Sequence, residues 1–121
     1  GAGRHANVME NGARYMEARA ELIQTTREIE RACRDAYYAY QRSREQLDIA
    51  NERVMIAQQR YELAETQHEL GRMSDEGLDS FRESLFAAQD AYFAQQFDVL
   101  NQEEGLRARI RVFDEGVLAN R

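Results

Sequence analysis

Gly71-Arg72-Met73-Ser74 interrupts a proline-free heptad pattern that otherwise runs almost from one end of the chain to the other. Gly71 can take the left-handed conformation that closes a helix at its C-terminal side. Ser74 can cap a following helix, and Asp75 and Glu76 then sit in its first turn, where the helix dipole favours acids. A long helix, a short link and a second long helix make an antiparallel hairpin. The expected fold class is therefore all-α: a long antiparallel helical hairpin, or coiled coil. The expected boundaries are a helix over about 6–70, a turn at 71–74 and a helix over about 75–111 within one domain, 1–121.

Working outward on the N-terminal side, Ala36, Ser43, Ala50, Ala57 and Ala64 recur every seventh residue, and Tyr40, Leu47, Val54, Tyr61 and His68 lie four positions on. Small residues beside large ones form a helix-packing seam that a partner helix can approach closely. Another row, Ile49, Ile56, Leu63 and Leu70, repeats with the same spacing. At about 100° per residue it lies roughly 100° around the helix from the alanines. A polar row, Gln46, Arg53, Arg60 and Gln67, runs between the two. Such a helix suits two neighbours, one on each side of a wettable strip, as in the wall of a helical barrel. At about 1.5 Å per residue the first helix would measure about 90–100 Å.

Beyond the turn the main row is Leu78, Leu85, Tyr92, Val99, Leu106 and Phe113, widened by Phe86, Phe93 and Leu100 and flanked by Phe81 and Ala88. Gly105 and Gly116 are expected to weaken the C-terminal part. Heptads sustained this long imply a left-handed supercoil. Apolar rows on more than one face imply partners, from the same protein or from other copies. The alternative is a three- or four-helix bundle whose first helix breaks near Gly12 or Thr25-Thr26.

The 31% charged residues and net charge of −6 leave no basic stripe to neutralise phosphates, so no nucleic-acid partner is expected. Cys33 is the only cysteine, which excludes an intrachain disulfide and a thiolate zinc site. It reads as a small hydrophobe within a helix. His5 and His68 belong to no spaced ligand set, and there is no phosphate loop, nucleophile elbow or Cys/His constellation. No enzyme activity, cofactor or metal is expected. No apolar run approaches the about 18 residues of a spanning helix, and mixed charge makes a membrane-surface helix a weak alternative. Gly1-Ala2-Gly3 reads as an expression scar or cut end, so a piece of a longer protein is expected.

The succession Ala36-Tyr37-Tyr38, Ile49-Ala50-Asn51-Glu52-Arg53-Val54 and Ala57-Gln58-Gln59-Arg60-Tyr61-Glu62-Leu63-Ala64 leads to Glu69-Leu70-Gly71-Arg72-Met73-Ser74 and Ala88-Gln89-Asp90-Ala91-Tyr92. In order and spacing, over roughly residues 20–110, it resembles the periplasmic helical repeat of the TolC-like outer-membrane efflux proteins. The resemblance implies an α-helical tunnel segment of an efflux or type I secretion channel. There, three chains form the tunnel, and the tip docks a periplasmic adaptor hairpin. Leu70, Gly71, Arg72, Met73 and Ser74 would be the adaptor-docking tip, and Gln46, Arg53, Arg60 and Gln67 would face lumen or solvent. The protein would belong to the outer membrane with this segment periplasmic, and membrane contact would come only through β-barrel segments absent from this sequence.

Some members carry aspartates six and nine residues after the turn glycine; here those positions are Gly77 and Ser80, with acids at Asp75, Glu76 and Asp79. The implied rival is the hairpin of a periplasmic adaptor, where Arg, Leu and Ser recur every seventh residue. Arg60 and Ser74 fit that spacing and Gln67 stands in the middle. Adaptor hairpins are flanked by glycine- and valine-rich lipoyl halves, which are missing from this sequence. An unrelated structural coiled-coil interaction module is the remaining alternative.

Overall fold

The computed structural model describes residues 2–119. Helix α1 spans Ala2–Glu69 and helix α2 spans Asp75–Ala119. The two pack against each other as an antiparallel all-α hairpin, and no strand occurs among the described residues. Gly1 of the N-terminal Gly-Ala-Gly run lies outside them.

Helix α1 starts at Ala2, earlier than the expected residue 6, and is continuous through both candidate break points. At Gly12 the missing side chain costs about 1 kcal/mol of helix propensity, and the turn that contains it is spanned by an Arg14–Glu10 ion pair of 2.8 Å. At Thr25-Thr26 the Thr26 hydroxyl donates to the Leu22 carbonyl at 2.8 Å, so it bonds its own helix without opening it. The bundle with a broken first helix is thereby replaced by one unbroken α1.

Helix α2 continues to Ala119, past the expected end at Arg111, and passes through Gly105 and Gly116. Packing overrides propensity here: Leu106 and Phe113 are half-buried, and Phe113 shares a groove with Leu22, Ile23 and Ile29 of α1.

The chain divides into two compact units. One combines residues 2–36 with 106–119. In it α1 is exposed throughout residues 2–25, and its first half-buried residues are Thr26 and Ile29. Cys33 is half-buried, and its thiol donates to the Arg109 carbonyl across the helix pair at 3.2 Å.

The other unit is Tyr37–Gly105 and contains the turn. Its buried residues are Ser43, Ala64 and Leu85, at 3%, 1% and 5% exposure. Two of these are seam positions and the third belongs to the main row of α2. Against them stands a long series of exposed large hydrophobics. A two-helix pair has too little interior to bury so many apolar side chains.

Candidate functional site

The tip is built by two capping motifs placed back to back. At the end of α1 the Arg72 amide donates to the Gln67 carbonyl at 2.8 Å and the Gly71 amide to the His68 carbonyl at 3.0 Å. These paired bonds form a Schellman motif, which requires a left-handed residue, and Gly71 supplies it with φ of 71°. At the start of α2 the Ser74 hydroxyl accepts from the Gly77 amide at 3.1 Å, and the Leu78 amide donates to the Ser74 carbonyl at 3.0 Å. Ser74 is thus the N-cap, with Asp75 and Glu76 in the first turn.

Two side chains lock the turn further. His68 Nε2 meets Asp75 Oδ1 at 2.5 Å, tying the last turn of α1 to the first turn of α2. The half-buried Met73 folds back over Gly77, where a Cβ would stand 3.1 Å from Met73 Cγ and 3.3 Å from the Ser74 hydroxyl. Gly77 therefore provides the space Met73 occupies. Neither contact was visible in residue spacing, because each depends on how the link folds back. Of the tip residues, Leu70, Gly71, Arg72 and Ser74 are exposed. Leu70 is 59% exposed and presents an apolar side chain to solvent beside the cationic Arg72.

Below the tip the seam residues Ala36, Ser43, Ala50, Ala57 and Ala64 are all half-buried or buried. Ser43 is a polar residue in this row, and its hydroxyl bonds the Tyr40 carbonyl at 2.6 Å, so no unpaired donor is buried. The Gln95 amide nitrogen donates across the pair to the Ser43 carbonyl at 3.1 Å and reaches Gln46 and Asp98 at 3.4 and 3.3 Å. Arg82 bonds the Tyr61 hydroxyl through both Nε and Nη2 at 3.2 Å, and pairs with Asp79 at 3.1 Å. The Tyr61 hydroxyl, with Asp79 behind it, raises the affinity of this guanidinium for its proton.

In the polar row, Gln46, Arg53 and Arg60 are exposed and Gln67 is half-buried. The neighbouring apolar row is uncovered: Ile49, Ile56, Leu63 and Leu70 all remain exposed. On α2, Phe86, Phe93, Phe97 and Leu100 are exposed as well. Two shallow grooves run beside these rows. One is lined by Arg53, Ile56, Ala57 and Arg60 with Phe81 and Ser84. The other is lined by Leu47 with Phe93, Gln96, Phe97, Val99 and Leu100. The 2–36 with 106–119 unit has a groove of its own, where Leu22, Ile23 and Ile29 meet Phe113 and Val117.

Comparison with known proteins yields no matching family model, curated protein or solved structure. Among the described residues no three His, Cys, Asp or Glu side chains are placed to hold a metal ion. No helix formed by them is long and apolar enough to cross a membrane. The surface offers apolar and charged contact area and a capped, exposed turn, which suit the site to binding.

Proposed function

We propose that this chain is an α-helical tunnel segment of an outer-membrane efflux or type I secretion channel, in which the hairpin tip docks the hairpin of a periplasmic adaptor. The observation that carries the reading is the tip: a glycine-closed, serine-capped turn that presents Leu70 and Arg72 at the end of two long helices. The uncovered row of Ile49, Ile56, Leu63 and Leu70 supports it from the side, since a tunnel wall asks each helix to meet more than one neighbour. The function on this reading is conduction and docking with no bond chemistry. Three full-length chains would close the tunnel, with β-barrel segments elsewhere in the protein contacting the outer membrane.

The test uses an immobilised periplasmic adaptor hairpin and the chain in solution. Wild type is expected to bind, and Gly71→Pro to lose binding while its far-ultraviolet circular dichroism stays largely helical. Undiminished binding by that variant, or no binding by wild type to any adaptor hairpin, would remove the tip from this role.

A further inference from the structure

Helix α1 carries its packing seam beyond the reach of α2. In the unit of residues 2–36 and 106–119, Ile29 and Ala36 are half-buried in one row, and Thr26 and Cys33 in the row beside it. The Cys33 thiol meets the Arg109 carbonyl, so in an antiparallel pair the end of α2 at Ala119 comes level with about residue 23. Counted back in sevens, the first row continues as Leu22, Tyr15 and Val8, and the second as Arg19 and Gly12. Val8, Met9, Tyr15 and Met16 stand three and four residues from Gly12, which makes them its neighbours on the helix surface. All four are exposed, and a Cβ at Gly12 would meet nothing within 4 Å.

This face is complementary to itself in shape. Gly12 is a hollow ringed by large apolar side chains, and the largest of them, Tyr15, stands one turn away. Charge is segregated as well. At about 100° per residue Glu10, Glu17 and Glu21 point at least about 140° away from Gly12. Over residues 2–23 the seam side holds only the basic Arg4, His5 and Arg19. At the other end of the same unit, residues 114–119 of α2 include Asp114 and Glu115 and no base. The first turn of α1 holds no acid.

We propose that two copies of this chain join end to end through residues 2–23 of α1, as an antiparallel pair with twofold symmetry. Each α1 takes the place along the other's seam that α2 holds further on, so the contact continues the interface already formed within the hairpin. In the register that sets Tyr15 of each copy over Gly12 of the other, Met9 of one meets Met16 of the other, and four exposed apolar side chains per copy leave water. Arg4 then comes level with Ile23, so the start of each α1 arrives at the end of the other copy's α2. There Arg4 and His5 meet a helix end that carries Asp114 and Glu115, where positive charge also suits the helix dipole. Arg19 falls level with Val8 at the rim, its stem on apolar surface and its guanidinium in water. The contact is isologous and closes at two chains. It requires neither an adaptor nor a membrane and stands apart from the efflux reading.

Sedimentation velocity on the full chain tests it. Wild type is expected to pass from monomer to dimer as concentration rises and to stop there. Tyr15→Glu changes an exposed residue, so the hairpin should stay helical by circular dichroism. A symmetric dimer would bury that glutamate twice, and association should weaken by about 100-fold or more. Ile56→Asp, outside the proposed contact, should leave the dimer unchanged. Orientation is read separately in a Cys33→Ser background. Met9→Cys and Met16→Cys, mixed under oxidised glutathione, should form a disulfide between unlike chains in preference to like ones. Monomeric wild type, growth beyond two chains, a Tyr15→Glu variant that still dimerises as wild type does, or cross-linking of like chains in preference to unlike would each overturn the proposal.

Discussion

Replacing Gly71 by alanine isolates the cost of the turn. The backbone there has φ of 71°, a region where an L side chain brings its Cβ toward the following carbonyl at about 1–2 kcal/mol. A Cβ at this position meets nothing within 4 Å, so no steric or packing cost is added and the penalty is purely conformational. Alanine also has less freedom than glycine in the unfolded chain, which returns about 0.4–1 kcal/mol. The net expectation is a loss of about 1 kcal/mol, with Gly71→Asn losing less because asparagine tolerates this conformation better. The measurement is urea denaturation followed by circular dichroism, comparing midpoints at constant slope. Helicity before the transition should be unchanged, since the residues between α1 and α2 are few. A Gly71→Ala variant as stable as wild type would show that the turn does not require the left-handed residue. A loss above about 3 kcal/mol would show that the side chain meets something the structure leaves open.

Other substitutions probe packing. Leu85→Ala removes the most buried large side chain and should cost about 2–3 kcal/mol in the same assay, the low end for such truncations, because a two-helix interface can relax around the gap. Ala64→Leu pushes extra methyl groups into a position with 1% exposure and should destabilise by about 1–3 kcal/mol. Gly77→Asp should displace Met73, whose Cγ would be only 3.1 Å from the new Cβ. A fluorine or carbon-13 label on the Met73 methyl should shift in that variant, and an unmoved signal would contradict the fold-back.

The hairpin was legible because its decisive residues act locally. A glycine needed for a left-handed turn and a serine needed for a cap announce themselves wherever they stand three residues apart, as Gly71 and Ser74 do. The C-terminal reach of α2 was not legible, since Gly105 and Gly116 argue locally for weakness while Leu106 is half-buried and Phe113 shares a groove with residues of α1 distant in sequence. The continuity of α1 at Thr26 depended on a hydroxyl turning back to Leu22, which no spacing announces. The separate row of Ile49, Ile56 and Leu63 could be placed on its own helix by counting. Its relation to the phenylalanines of α2 required knowing which way the second helix lies against the first. Met73 over Gly77 and His68 against Asp75 are likewise products of the turn's three-dimensional path.

The turn holds its form through bonds of its own: amides of Gly71, Arg72 and Gly77 are spent on neighbouring carbonyls and a hydroxyl, and His68 ties the two helix ends together. Whatever meets this end of the molecule meets a surface already in its final shape. No loop has to be ordered at the moment of contact, so little of the interaction is consumed by lost conformational freedom. Recognition then falls to the side chains that project from the frame, Leu70 and Arg72 foremost, and exchanging them should alter the choice of partner while the frame beneath stays the same.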